Sequence, residues 1–204
     1  MDAAPEKTLS RIPASVPVMV LGGAALLPHN CLPLYIFELR YRAMLERALA
    51  TDRLLAIATP IDREGTRVLE VGCLGLVRAS VRSEDGTSRL ILEGLCRVRF
   101  TGWPQLEPFR QAEVRVHGSV GSINPSELEE RLEFLRAALR RFGPGLPSEL
   151  SARMAQINHP DVLLDVVAGV LLSDEAHRQA MLEEADGAMR QRLLLRLLGE
   201  ITPS

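Results

Sequence analysis

At 204 residues, 47% hydrophobic and 25% charged, the chain has ordinary globular composition and enough length to bury a core, which excludes general disorder. A formal net charge of −2 and a sequence pI near 6.1 leave no basic field for phosphates, which argues against nucleic acid as a partner. The first fifteen residues hold no signal-peptide core, and the most apolar run, "VLLDVVAGVLL", is short and carries Asp165; no membrane span is expected and a cytoplasmic location is.

Residues 1–14 read as a disordered tail, 15–120 as a β subdomain with one helix, and 121–204 as a helical subdomain. "VPVMV" is a strand, and "LGGAALLP" turns the chain after it. "LPLYIFELRYRAML" (32–45) begins as a strand and ends as a helix. With a helix start at Glu38, steps of about 100° per residue place Phe37, Tyr41, Met44, Leu45 and Ala48 in one buried stripe and Leu39 on nearly the opposite side. Phe37 and Tyr41 are then expected to pin the helix to the sheet, and Arg42 and Glu46, one turn apart, to pair. In "VGCLGLVRASV" the odd positions Val71, Cys73, Val77, Ala79 and Val81 are apolar, with Arg78, Ser80 and Arg82 between them toward the end, so its first half reads as buried on both faces. Asp85-Gly86 suits the positive φ angles of a tight hairpin, after which "RLILEGL" returns as the partner strand. Two further alternations set Cys96, Val98 and Phe100 against Arg97 and Arg99, then Ala112, Val114 and Val116 against Glu113, Arg115 and His117. Strands joined by short turns in this number imply a barrel or sandwich.

At "INPSEL" the period changes. Asn124 reads as a helix cap, Pro125 as the first helical residue, and Glu127 follows three residues after the cap. Leu128, Leu132, Leu135, Leu139 and Phe142 form one stripe, and "GPGLP" (143–147) ends the helix. Ser148, Pro160, Ser173 with Asp174 and Glu175, and Asp186 open four more helices. The segment Val162 to Leu172, apolar nearly all round, is expected at the centre. Helices after a sheet give an α+β chain with two subdomains.

Chemistry-bearing patterns are scarce. "LGGAALLP" lacks the lysine that a phosphate-cradling loop requires, and "HGSVGS" lacks the spacing of a nucleophile elbow. Cys31, Cys73 and Cys96 stand far apart without C-x-x-C pairs and read as buried small hydrophobes in a reducing compartment. His29, His117, His159 and His177 are scattered singly, so no metal site is expected. Arg78, Arg82, Arg97 and Arg99 could line a positive sheet face, yet aromatic residues are only 4% of the chain, which leaves few stacking platforms for bases.

Three stretches in order carry a family resemblance: "VPVMVLGGAALLPHNCLPLYIFELRYRAMLERAL", "LEVGCLGLVRASVRSEDGTSRLILEGLCRVRF", and "INHPDVLLDVVAGVLL" with "MLEEADGAMRQRLLLRLLGE". They resemble the amino-terminal substrate-binding domain of the Lon (La) proteases over about residues 15–200, and the I-F-E-x-R-Y wording looks more like the small free-standing bacterial members than like the full proteases. The resemblance implies a PUA-like β-barrel or sandwich followed by a C-terminal helical bundle. It also implies a non-enzymatic module, an adaptor or holdase for proteolysis or quality control, whose partners are unfolded or tagged polypeptides or a protease, and which helps assemble a homo-oligomer. Neither a phosphate-binding loop nor a serine-lysine peptidase module lies within these residues, so ATP hydrolysis and proteolysis are not implied, and no catalytic, metal or cofactor residue is assigned. For polypeptide contact the candidates are Leu39, an apolar side chain turned away from the helix's buried face, its charged neighbours Glu38 and Arg40, and Trp103, which is either a core lid or an exposed anchor. Two alternatives stay open: a small hydrolase using a sheet-face Cys or His, and weak RNA binding through a PUA-like surface.

Overall fold

The computed structural model describes residues 12–118, 125–141 and 148–201. Two compact units meet in sequence between His117 and Gly118.

The first unit contains β1 (Ser15–Val20), β2 (Cys31–Ile36), α1 (Leu39–Leu49), β3 (Leu54–Ala58), β4 (Val71–Arg82), β5 (Ser88–Gln105) and β6 (Arg110–Val116). The strands form one sheet in the order β2-β5-β4-β3-β1-β6, and β5 also pairs with β6, which closes the sheet on itself. β1 and β3 run parallel with α1 between them in sequence, and the other pairings are antiparallel. β5 joins the returning strand "RLILEGL" and the Cys96–Phe100 alternation, which read from the sequence as separate stretches. Its first half lies between β2 and β4, its second between β4 and β6, and register shifts at Leu74/Gly75, Val77/Ala79 and Phe100/Gly102 let one long strand bend between these roles. The enclosed core includes Val16, Val18, Ala56, Ala58, Leu74, Val98, Phe100 and Ala112.

Glycine at position 94 is required by a close approach. A methyl there would collide with the Leu27 carbonyl, whose segment leads into β2, while the Gly94 N–H donates to Asn30 O at 2.9 Å. His29, at φ 63°, donates its N–H to Gly94 O at 2.8 Å, so two residues oppose one and a bulge sets the start of β2.

Tyr41, Met44, Leu45 and Ala48 of α1 are buried as expected. Burying side chains such as Met44 and Leu45 contributes about 2 kcal/mol each to docking the helix. Phe37 departs from the expected stripe: it is exposed and stacks on Tyr35 with ring centroids 5.9 Å apart. The helix begins at Leu39 with Glu38 extended at its cap, so Phe37 still follows strand alternation, and buried Ile36 turns its neighbour outward. Arg42 and Glu46 do not pair either. Arg42 donates to Phe37 O at 2.9 Å and to Asp85 O at 3.1 Å, and Glu46 meets Arg82 at 2.9 Å, so both tie α1 to the β4–β5 hairpin.

In that hairpin only Gly86 takes a positive φ, 79°. Ser83 O accepts from Gly86 N and Ser83 N donates to Thr87 O, which makes a longer loop than the two-residue turn expected. Ala79 and Val81 are exposed because the hairpin runs beyond the core, while Arg97 is buried. Of the residues expected as a tail, 12–14 are placed, with Ile12 packed on the core and Ala14 O accepting from Val114 N at 3.2 Å, while 1–11 lie outside the described residues.

The second unit contains α2 (Pro125–Arg141), α3 (Ser148–Ala155), α4 (Pro160–Leu171), α5 (Glu175–Glu183) and α6 (Gly187–Ile201). The expected cap Asn124, the stop "GPGLP" and Phe142 lie outside the described residues. α4 is central, with Leu163, Leu164, Val166, Val167 and Ala168 buried and α2, α3, α5 and α6 packed against it. Its N-cap is His159, whose ring nitrogen accepts from Asp161 N at 3.3 Å; Asp174 and Asp186 cap α5 and α6 through His177 N at 3.0 Å and Met189 N at 2.8 Å. Asp161 meets Arg131 at 3.1 Å and Arg190 at 3.3 Å, joining α2, α4 and α6 through one carboxylate.

Candidate functional site

β2 is an edge strand: among the described residues it pairs with β5 alone. Leu32, Leu34 and Ile36 turn toward the core side, leaving Cys31, Pro33 and Tyr35 on the outer face. The register sets Pro33, Ile91 and Ala79 side by side in one row and Tyr35, Arg89 and Val81 in the next. These rows floor a hollow of about 430 Å³ lined almost wholly by apolar groups. Along the chain, Tyr35, Phe37 and Leu39 extend the same exposure at alternate residues, Phe37 at 57% and Leu39 at 80%, while Val81 is 69% exposed on β4. Single exposed apolar residues are ordinary, but such a cluster beside an open strand edge makes this face the candidate interaction surface.

Of the sequence candidates, Glu38, Leu39 and Arg40 follow β2 in the chain, whereas Trp103 lies in the second half of β5. Leu39, the first residue of α1, is exposed. Glu38 and Arg40 flank it as an ion pair at 2.8 Å, and the Arg40 guanidinium lies 4.6 Å from the Tyr41 ring centroid. Arg40 also lines a second hollow of about 550 Å³, with Tyr41, Asp62, Arg63, Leu106 and Arg110. The Arg110 guanidinium sits 5.8 Å from the Trp103 ring centroid, so Arg110 joins Trp103 to that hollow. Trp103 itself is half-buried: its ring lies 5.3 Å from Phe100 and packs on the core.

The groups considered for chemistry are dispersed. Cys73 and Cys96 are buried, and burial pushes the Cys96 thiol up to about 11, which keeps it protonated at neutral pH. Cys31, expected to be buried, is exposed, because alternation on β2 turns it outward opposite Glu93. His159 serves as a helix cap. Among the described residues no group of three or more His, Cys, Asp or Glu is placed to hold a metal, and no helix is long and apolar enough to cross a membrane. The arginines read as a positive face are engaged: Arg78 pairs with Glu93, Arg82 with Glu46, Arg99 with Glu70, and Arg97 is buried.

Sequence reasoning missed Tyr35, Phe37, Val81, Arg89 and Ile91. The available signal was "CLPLYIF", apolar at both parities with a proline inside: a two-faced apolar strand is central or else leaves one face open, and the proline favours an edge.

The chain matches the family model of the ATP-dependent protease La (LON) substrate-binding domain over residues 15–200. It belongs to that family. The Lon protease of Desulfosudis oleivorans is 25% identical, aligned over 94% of this chain and 24% of its own length. The present chain thus spans about a quarter of the curated Lon proteases it matches. Among solved structures, the N-terminal domain of the Mycobacterium avium complex Lon protease superposes with a TM-score of 0.71 at 20% identity, covering 92% of this chain and 100% of that one. The Lon N-terminal domain protein from Xanthomonas campestris gives 0.66 at 21% identity, covering 93% and 99%. Both show the shared α+β fold, and the family is one of substrate binding.

Proposed function

We propose that this Lon substrate-binding family member is a cytoplasmic, non-enzymatic polypeptide-binding module: a PUA-like β subdomain followed by a helical bundle, acting as an adaptor or holdase that presents unfolded or tagged polypeptides to a protease partner. The observation that carries the reading is the exposed apolar ribbon Tyr35, Phe37, Leu39 and Val81 beside the open edge of β2. In this reading Leu39 is an apolar contact, Glu38 and Arg40 orient the bound chain, and Trp103 holds the Arg110 wall of the neighbouring hollow. Such a surface gains affinity by covering apolar area, so binding should tolerate salt. RNA binding is disfavoured because the candidate arginines already hold carboxylates or are buried.

The test is capture of a permanently unfolded model protein, with affinity on the order of micromolar or tighter. Leu39→Asp should lower it without changing thermal stability, and raising salt should not. Absence of binding by the wild-type chain across several salt concentrations would overturn the proposal, as would binding that Leu39→Asp leaves intact.

A further inference from the structure

Resting on the polypeptide-binding reading, we infer that the bound segment adds to the sheet as an extra strand on the free edge of β2 and carries a carboxylate that Arg89 recognises. Gly94 N–H donates to Asn30 O, so Asn30 faces β5, and alternation makes Cys31, Pro33 and Tyr35 face away from it. Pro33 agrees: it has no N–H, yet its pairing with Ile91 leaves the register unbroken, as it can only where an N–H would point off the sheet. Among the described residues the edge therefore offers the N–H of Cys31 and Tyr35 and the carbonyls of Cys31, Pro33 and Tyr35. The missing donor at Pro33 blunts the edge without closing it, which suits reversible pairing.

Side chains select what pairs there. A strand laid beside β2 sends alternate residues to the outer face, where Pro33, Tyr35, Ile91 and Val81 present apolar surface. The charge on that face is one-sided. Arg78 is neutralised by Glu93, whereas exposed Arg89 makes no ion pair among the described residues, and its guanidinium lies 6.0 Å from the Tyr35 ring centroid. That position draws the guanidinium over β2, toward the free edge and within reach of a carboxylate on an added strand. The occupant that fits is an extended segment with apolar residues at alternate positions and one acidic residue among them.

A labelled decapeptide alternating Val and Thr, with one central Glu replacing a Val, tests this by fluorescence anisotropy. Wild type should bind it; Arg89→Glu should weaken binding about tenfold or more and regain it when the peptide Glu is Lys. N-methylation of one alternate set of peptide amides should abolish binding and of the other set should not, the signature of a single paired edge. If neither methylated set loses affinity, or the Arg89→Glu and Lys exchange shows no rescue, while unfolded protein is still captured, strand addition is wrong and the broader reading survives. If neither peptide nor unfolded protein binds, both fall. Should sedimentation show wild type as a dimer that Tyr35→Asp dissociates, the edge belongs to a second copy and the inference is overturned.

Discussion

The Tyr41 hydroxyl donates to the Val20 carbonyl at 3.0 Å, fastening the first turn of α1 to the end of β1. Burial pushes this phenol up from its ordinary value, with Arg40 opposing the shift. Tyr41→Phe should cost about 1 kcal/mol at neutral pH, since the carbonyl loses its partner while the ring keeps its packing. Because the folded state holds the phenolic proton more tightly, its contribution is full below the unfolded value near 10 and is lost as pH rises through the folded one. The wild-type advantage over Tyr41→Phe, measured by urea denaturation, should therefore shrink in alkali.

The hairpin tip behaves oppositely. Asp85 accepts from Thr87 N at 2.9 Å and from the Thr87 hydroxyl at 2.7 Å, and that hydroxyl is the largest cause holding the carboxyl below its ordinary value. A lowered carboxyl stabilises above its unfolded value of about 3.8, and the contribution disappears as pH falls through the folded one. Asp85→Ala should lower the midpoint of thermal unfolding slightly at pH 7, and the gap to wild type should close in strong acid.

In the helical unit, Asp161 balances Arg131 and Arg190, the latter side chain only 6% exposed. Asp161→Asn would remove a carboxylate charge from beside the buried Arg190 guanidinium, at a cost of about 3 kcal/mol. Urea unfolding of the full chain should resolve this loss. A double-mutant cycle with Arg131→Gln should recover part of it, because removing one of the two cations relieves the imbalance.

The buried side of this fold was legible wherever periodicity was clean. Tyr41, Met44, Leu45 and Ala48 follow from helical steps, and Pro160 and Asp174 mark helix starts because caps obey local chemistry. β3, LLAIA, is buried at every position and has no alternation to read. The exposed ribbon was hidden for a different reason. Phe37 lies where strand alternation gives way to helical steps, and a one-residue difference in the start moves it from buried to exposed. Val81 alternates correctly but lies beyond the core, and which strand ends overrun a core depends on the pairing of β2, β4 and β5. Leu39 was accessible to sequence reasoning because it opposes a well-defined buried face.

Leu39 and Trp103 were both candidates from sequence, and their surroundings separate them. Leu39, 80% exposed, can be changed without disturbing packing, so Leu39→Ser should leave stability within about 0.5 kcal/mol of wild type. If a bound segment covers it, the same change forfeits roughly 1–2 kcal/mol of apolar contact and weakens capture of unfolded protein about tenfold. Trp103 packs on Phe100 and the core and supports Arg110, so Trp103→Ala should destabilise the β subdomain by about 2 kcal/mol. As the sole tryptophan, it also reports on itself. A residue acting as a lid that only shores up Arg110 should keep its emission maximum when a saturating peptide binds, whereas a direct anchor would shift to the blue on losing water. A blue shift at saturation, joined to weaker binding by Trp103→Phe at unchanged stability, would move Trp103 from the core into the contact surface.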